Sequence, residues 1–156
     1  MSTPTDFVID VDGVMTTGQF LYSVEGKLFK IFGAHDSDGL KLIRNLIKIT
    51  FITADRRGFG ISKKRIVDDM GYELKLVSED DRLEFMKKNF KLKKTIFMGD
   101  GIFDSLIIKE SFFGIAPSNA RIEAIEVANY VTKSSGGNGA VLDACLEINK
   151  RFFRKC

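Results

Sequence analysis

Short apolar segments rich in β-branched residues alternate with amphipathic segments along the whole chain. Six apolar segments predict strands, at residues 7–10, 48–53, 73–77, 94–100, 112–116 and 129–132. Six segments with helical periodicity lie at about 38–47, 60–70, 79–90, 104–110, 120–128 and 139–152. Repeated strand-then-helix order predicts an α/β fold, and continuous apolar strands predict a mainly parallel sheet that helices cover on both faces. We therefore expect a three-layer, Rossmann-like architecture.

One segment interrupts this order directly after the first strand. Residues 18–32 read GQFLYSVEGKLFKIF, with loose apolar alternation on either side of Glu25 and Gly26. This pattern predicts an inserted β-hairpin. An exposed apolar segment usually packs against a partner surface, so we expect the hairpin to contact another subunit.

Length, charge and cysteine content narrow the class of protein. The 156 residues predict a single domain over residues 1–156. Twenty-four basic and 21 acidic residues leave a net charge of +3, too small to indicate nucleic-acid binding. No apolar run approaches the roughly 18 residues of a membrane span, and MSTPTD does not resemble a signal peptide. Cys145 and Cys156 are the two cysteines, which favours a reducing cytoplasm.

Acidic residues stand at the ends of the predicted strands. Asp10 and Asp12 end the first strand, Thr53 ends the second, and Asp100 ends the fourth, with Asp104 four residues later. In a parallel α/β sheet these ends lie along one edge, where ligands bind. Like charges so close together are costly unless a cation neutralises them, and Mg²⁺ prefers carboxylate oxygens. The sequence therefore predicts a magnesium site at this edge.

The spacing of Asp10 and Asp12 indicates covalent and acid/base chemistry. The chain bends into Gly13 after them, so one carboxylate can face the substrate in line while the other lies beside the leaving group. Taken alone, DVDG could be an acidic strand-to-turn transition, and GDGIFD could be a turn with a carboxylate at a helix start. Their joint occurrence at the ends of apolar strands favours a catalytic site.

The same motifs carry a family resemblance over nearly the whole chain. DVDGV, FITA, and MGDGIFD followed by GIAPSNA resemble the signature motifs of the haloacid dehalogenase superfamily of phosphatases. DVDGVMTTGQF, KLFKIFGAHDSDGLKLI and ANYVTKSSGGNGAVLDACLEI are similar to its small branch without a cap domain, typified by phosphatases of 3-deoxy-manno-octulosonate 8-phosphate. The resemblance implies a Mg²⁺-dependent phosphomonoesterase for an acidic sugar phosphate.

The resemblance implies a role for each acidic residue. Asp10 would be the nucleophile that becomes an aspartyl phosphate. Asp12 would protonate the leaving oxygen and then activate water. Asp10, the backbone carbonyl of Asp12, and Asp100 would hold Mg²⁺, and Asp104 would orient water bound to it.

The resemblance also implies phosphate and substrate contacts. Thr53 would donate to a phosphate oxygen, together with backbone N–H groups near Gly13 and Ala54. Arg82 stands where the superfamily normally has a lysine, and it can supply a fixed charge and a two-pronged grip. Where the branch usually reads ITGR, this sequence reads ITADRRG. Arg56 or its neighbour Arg57 would replace the basic contact that the branch makes through the arginine of ITGR.

Two other functions remain open from the sequence. Arg82, and Gly101 in place of a usual aspartate, would also suit a phosphate-binding or regulatory relative with little turnover. A phospho-receiver domain also uses aspartate and Mg²⁺, but it would carry its phosphoacceptor on a middle strand. Because no cap shields the site, the branch resemblance implies a homo-oligomer, a tetramer, with the hairpin at the subunit interface.

Overall fold

A computed structural model describes residues 3–154, which form one six-stranded sheet, one hairpin and the helices around them. The strands are β1 (Asp6–Asp10), β2 (Thr16–Ser23), β3 (Gly26–Phe32), β4 (Lys48–Thr53), β5 (Glu73–Leu76), β6 (Thr95–Met98), β7 (Phe113–Ala116) and β8 (Tyr130–Val131). The helices are α1 (His35–Ile43), α2 (Phe59–Lys63), α3 (Arg82–Asn89), α4 (Ser105–Glu110), α5 (Ile122–Ile125) and α6 (Ala140–Ile148). Further helical turns extend α2 through Asp69 and α6 through Phe153.

β1 is an interior strand of the sheet, and the order in which later strands are added changes sides at β1. The strand order is β5-β4-β1-β6-β7-β8, and every pairing is parallel. The chain therefore builds outwards from β1 on one side through β4 and then on the other side through β6. In open α/β sheets the crevice at such a point is where ligands bind.

Alternate side chains of the strands fill two separate cores, one on each face of the sheet. Phe7 and Ile9 of β1 pack with α1 and α6, whereas Val8 packs with α3, α4 and α5. All three side chains are fully buried. Strands apolar on both faces are what a parallel sheet between two helical layers requires. The predicted three-layer α/β architecture is confirmed.

The hairpin contains a β-bulge that changes which side chains share a face. Leu21 pairs with Phe29 and Tyr22 pairs with Lys27, so Leu28 is the extra residue. A bulge of this kind alters the alternation of side chains along a strand. Within residues 3–154, the hairpin is the insertion that follows β1, and no cap domain is present. The single-domain assignment for residues 1–156 stays a prediction.

The segment HDSDGLK, which the sequence analysis associated with the branch, packs α1 against α6. The carboxylate of Asp36 accepts hydrogen bonds from the backbone N–H groups of Val141 at 2.9 Å and Leu142 at 3.2 Å, at the start of α6. A β-carbon on Gly39 would lie 2.6 Å from Cα of Leu142. Asp36 thus satisfies free N–H groups of α6, and Gly39 allows the two helices to approach closely.

Membrane-spanning helices and cysteines bear on the expected cellular setting. No helix among the described residues is long and apolar enough to cross a membrane. Cys145 is buried and free, and Cys156 lies outside the described residues. The cytoplasmic setting stays a prediction.

The close α1–α6 approach makes a stability prediction. Gly39→Ala is expected to destabilise the protein by about 1–3 kcal/mol, because its methyl group would overlap the α6 backbone. Gly60→Ala in α2 is the control, since nothing lies within 4 Å of its β-carbon position, and it is expected to be neutral or stabilising. Urea unfolding of both variants measures the difference. Equal stability of the two would contradict this packing.

Candidate active site

Three carboxylates from two adjacent strands meet at the carboxyl edge of the sheet. Asp10 is the last residue of β1, Asp100 follows β6, and Asp104 ends the short helical turn before α4. Each offers one oxygen, and these oxygens lie within 4.8 Å of one another. They line a cleft of 580 Å³. The structure therefore brings together the acids that the sequence placed at strand ends.

The turn after Asp10 needs a glycine for two reasons. Gly13 has φ of +88°, which side chains of L-residues rarely adopt. A β-carbon there would lie 2.0 Å from Oδ2 of Asp100. Gly13 therefore allows the carboxylate of Asp100 to approach the turn that carries Asp12. Its own N–H donates to Oγ1 of Thr16 at 3.2 Å.

Two loops from later in the chain support this turn. Asn119 donates from Nδ2 to the carbonyl of Gly13 at 3.0 Å and accepts from the N–H of Gly136 at 2.6 Å. The N–H of Gly137 donates to the carbonyl of Val14 at 3.3 Å. The segments GIAPSNA and SSGGNGA thus fix the backbone around Asp12.

Arg82 contacts two of the three acids, Asp10 and Asp104. Its Nη1 lies 2.7 Å from Oδ1 of Asp104 and 3.2 Å from Oδ1 of Asp10, and its side chain is 5% exposed. Oδ2 of Asp104 accepts the N–H groups of Asp100 at 3.1 Å and Gly101 at 3.0 Å. Asp104 therefore holds the loop that presents Asp100, and Arg82 joins that loop to Asp10.

The three acids carry more negative charge than Arg82 balances. Burial, followed by the charges of Asp104, Asp100 and Asp12, raises the pKa of Asp10 well above its usual range, although Arg82 opposes the shift. Burial and the charge of Asp104 raise the pKa of Asp100 to about 6. A divalent cation would remove this imbalance, and three convergent carboxylate oxygens are donors that Mg²⁺ accepts. The residues present therefore fit the predicted metal.

Asp12 is held apart from these acids by partners on its other side. Oδ2 of Asp12 accepts a hydrogen bond from Oγ1 of Thr53 at 3.1 Å. Nζ of Lys30, from β3 of the hairpin, lies 2.8 Å from Oδ1 and 3.2 Å from Oδ2 of Asp12. Thr53 also accepts the N–H of Asp55 at 3.1 Å. Its hydroxyl, expected to donate to phosphate, donates here to Asp12.

A second acidic residue, Asp55, joins the hairpin to the sheet. Its Oδ2 lies 2.5 Å from Nζ of Lys27 and 2.8 Å from Nζ of Lys30, and its Oδ1 accepts the N–H of Gly58 at 3.1 Å. Burial alone would raise the pKa of Asp55, but hydrogen bonds from Lys27, Lys30 and Gly58 lower it to about 2. Asp55 is therefore ionised at neutral pH and anchors both lysines.

The remaining predicted substrate contacts, Ala54 and Arg56, line different cavities. Ala54 lines the cleft. Arg56 is exposed and lines a neighbouring hollow of 390 Å³ that shares Ala54 and Ser78 with the cleft. The structure thus brings Asp10, Asp12, Thr53, Ala54, Arg82, Asp100 and Asp104 together, with Gly13 beneath them and Arg56 to one side. Their catalytic and binding roles stay predictions.

Sequence reasoning missed the lysines of the hairpin. Strict alternation would place Lys27 and Lys30, three residues apart, on opposite faces of β3, but the bulge at Leu28 lets both reach Asp55. The signal available in the sequence was two lysines in an otherwise apolar strand.

Comparisons with known proteins agree with this arrangement. A family model described as haloacid dehalogenase-like hydrolase matches residues 82–144. The 3-deoxy-D-manno-octulosonate 8-phosphate phosphatase of Escherichia coli K12 is 27% identical over 150 residues, which cover 88% of this chain and 75% of that protein.

Two solved structures are similar along almost the whole chain. The 3-deoxy-D-manno-octulosonate 8-phosphate phosphatase of Moraxella catarrhalis, in complex with magnesium ion, phosphate ion and KDO, has a TM-score of 0.81 and 29% identity. The match covers 94% of this chain and 86% of that one. The cobalt-bound form of the deoxy-D-mannose-octulosonate 8-phosphate phosphatase of Haemophilus influenzae has a TM-score of 0.81 and 25% identity, over 95% of this chain and 88% of that one. These likenesses confirm the family resemblance that the motifs indicated.

The depressed pKa of Asp55 makes a prediction about acid stability. A carboxyl whose pKa is lowered on folding contributes stability above its unfolded value, near 4, and loses it as pH falls through about 2. Asp55→Asn is expected to destabilise the protein by about 2 kcal/mol near neutral pH, and the difference should shrink towards zero near pH 2. Urea unfolding across this pH range measures it.

Asp38→Asn is the matched control for this experiment. Asp38 forms an exposed pair with Lys41 at 3.3 Å, and such pairs contribute about 0–1 kcal/mol. A difference between wild type and Asp55→Asn that does not change with pH would contradict the ionic anchoring of the hairpin.

Proposed function

We propose that this chain, a phosphatase that belongs to the haloacid dehalogenase-like hydrolases, hydrolyses a small sugar phosphate through an aspartyl phosphate on Asp10. The observation that carries the proposal is the convergence of Asp10, Asp100 and Asp104 on one cleft, with Arg82 bound to two of them. Positioning and charge neutralisation supply most of the rate in phosphoryl transfer, and this cleft offers both.

In the first step, an oxygen of Asp10 forms a bond to phosphorus while the bond from phosphorus to the sugar oxygen breaks. The carboxyl of Asp12 gives its proton to that sugar oxygen, so the sugar leaves as an alcohol. In the second step, the carboxylate of Asp12 takes a proton from water, whose oxygen attacks phosphorus. The bond to Asp10 breaks, phosphate leaves, and both carboxyl groups return to their starting states.

Mg²⁺ is the proposed cofactor because the donor set suits it. Asp10, Asp100 and the backbone carbonyl of Asp12 would hold the ion, and Asp104 would orient water bound to it. When bound, it would neutralise negative charge on the phosphoryl group. Asp104 also positions the loop of Asp100 through two backbone N–H groups. Gly13 permits the close approach of Asp100 to the turn.

The phosphoryl group would be bound by Arg82, by Thr53 and by backbone N–H groups near Gly13 and Ala54. Arg82 already contacts Asp10, so it supplies the positive charge that the superfamily usually takes from lysine. Thr53 reaches the phosphate if its hydroxyl exchanges Asp12 for a phosphate oxygen. This position of Arg82 favours turnover over a purely phosphate-binding role.

The proposed substrate is 3-deoxy-manno-octulosonate 8-phosphate or a related 2-keto-3-deoxy sugar acid phosphate. Relatives described above are named as phosphatases of 3-deoxy-D-manno-octulosonate 8-phosphate, which supports this substrate class. The cleft itself is acidic, with Glu79 and Asp80 added to the acids already described, and Lys27 and Arg82 are its basic lining residues. We therefore assign Arg56, in the adjoining hollow, to the carboxylate of the sugar acid.

The hairpin is the proposed contact between subunits of a tetramer. Its exposed side chains are mainly apolar, namely Phe20, Leu21, Tyr22, Val24, Leu28, Phe29 and Ile31. A patch of this kind usually marks an interaction surface. A second copy of the chain packed there would shield the open cleft from water.

A kinetic panel tests the function. With Mg²⁺, wild type is expected to release phosphate from 2-keto-3-deoxy sugar acid phosphates at lower KM than from neutral sugar phosphates of equal length. Asp10→Asn is expected to lose at least about 10⁴-fold in kcat, because the nucleophile is gone. Chelation of Mg²⁺ should have a comparable effect. Asp38→Asn, an exposed aspartate on α1, is the control and should keep wild-type activity.

The same panel decides between the open alternatives. Turnover that survives Asp10→Asn would contradict the proposed mechanism. Phosphate binding without release from any substrate would instead favour the regulatory relative. Stable phosphorylation by acetyl phosphate without turnover would favour the phospho-receiver domain. A lower KM for neutral sugar phosphates would overturn the assignment of Arg56 alone.

Oligomeric state tests the interface proposal. Sedimentation equilibrium is expected to give a tetramer for wild type, and Phe29→Glu should weaken it because a charge would be buried in the apolar contact. Leu42→Glu, an exposed apolar position on α1, is the matched control and should leave the assembly intact. A wild-type protein that is monomeric at all concentrations would contradict the proposal.

A further inference from the structure

We propose that Lys30 is a positioning residue for Asp12, so that the inner face of the hairpin is part of the catalytic apparatus. The proposal rests on the proposed function, in which Asp12 protonates the leaving oxygen. It assigns to the hairpin a role that its apolar outer face does not suggest.

Lys30 has a complete set of acceptors although its side chain is fully buried. Its Nζ donates to Oγ of Ser62 at 2.8 Å and to Oδ2 of Asp12 at 3.2 Å, and it pairs with Oδ2 of Asp55 at 2.8 Å. An ammonium group has three protons, and a buried one is tolerated only where they are all accepted. These three partners fix Nζ from three directions. Asp12, which lines the cleft together with Asp55, is therefore fixed in turn.

The partners of Lys30 come from separate parts of the fold. Asp12 follows β1, Asp55 follows β4, and Ser62 is a buried residue of α2. Ser62 and Asp55 thus form a rigid support behind the ammonium group. The carboxylate of Asp12 is 20% exposed, and it is the only one of the three partners whose expected role requires contact with substrate. Through its contacts with Asp55 and Ser62, Lys30 restrains the position of this carboxylate.

Stability alone does not account for this arrangement. A buried ion pair is often no more stabilising than apolar residues of the same volume. A general acid, in contrast, must lie within hydrogen-bonding reach of one particular oxygen, and a misplacement of about 1 Å can cost about 100-fold in rate. The geometry therefore points to catalysis.

The role of Lys30 predicts a dependence on the leaving group. A sugar oxygen needs a proton when it leaves, whereas p-nitrophenolate leaves as an anion and needs none. The ratio kcat/KM reports only steps up to the first phosphoryl transfer, where this proton is given. Misplacing Asp12 should therefore lower kcat/KM for the sugar phosphate much more than for p-nitrophenyl phosphate.

Two variants displace Asp12 to different extents. Lys30→Met is expected to lower kcat/KM by about 10–100-fold for the best sugar phosphate, and by less than about threefold for p-nitrophenyl phosphate. Ser62→Ala removes one support of Nζ without touching Asp12, and should lower the sugar phosphate value by about threefold with no change for the aryl substrate. Thermal unfolding establishes that each variant is folded.

Lys27→Met is the matched control. Lys27 lies on the same strand and pairs with Asp55 at 2.5 Å, and no contact with Asp12 is found within residues 3–154. Its loss should therefore change the two kcat/KM values by the same factor. A leaving-group split as large as that of Lys30→Met would show that docking of the hairpin, not the Lys30–Asp12 contact, is responsible, and would overturn the proposal.

The outcomes separate this proposal from the proposed function. If wild type is active on both substrates and Lys30→Met lowers the two kcat/KM values equally, or lowers neither, the role of Lys30 is overturned and the phosphatase function stands. Wild type inactive on both overturns the function and this proposal with it. If Lys30→Met does not fold, Ser62→Ala decides: a split between substrates supports the proposal, and no split overturns it.

Discussion

Compensation of buried negative charge is the constraint on which the rest of this structure depends. Asp10 and Asp104 are almost completely buried at the carboxyl edge of the sheet, and Asp100 lies beside them. Arg82 meets one side of this group, and Lys30 holds Asp12 on the other. Burial, together with the charges of the neighbouring acids, raises the pKa values of Asp10 and Asp100 although Arg82 opposes the shifts. A site arranged in this way fits the proposed divalent cation and phosphoryl group.

The hairpin has the reverse of the usual distribution of polarity. Its lysines lie inside, against Asp12 and Asp55, while Leu21, Tyr22 and Phe29 are exposed. The inner face is charged because it neutralises the acidic edge, and the apolar outer face is available to another copy of the chain. One element thus links the predicted assembly to the position of the proposed general acid, so assembly and catalysis would depend on each other.

Sequence predicted the sheet and its acidic edge because both follow from local patterns. Apolar runs such as KITFIT and KTIFM gave the strands, and their ends gave Asp10, Thr53 and Asp100. The partners of Asp12 could not be predicted, because the bulge at Leu28 changes which side chains of β3 share a face. Asn119, which lies 106 residues from Gly13, contacts it only through the folding of a distant loop. Family resemblance supplied the roles of the acids, which neither spacing nor geometry alone gives.

A crystal structure grown with Mg²⁺ and beryllofluoride, which mimics the phosphoryl group on aspartate, tests the account most directly. The account predicts beryllium bound to an oxygen of Asp10 and a cation between Asp10 and Asp100. Arg82 should then contact a fluorine atom, and Lys30 should remain on Asp12. Beryllium on another residue, or a cation away from Asp10 and Asp100, would contradict the account.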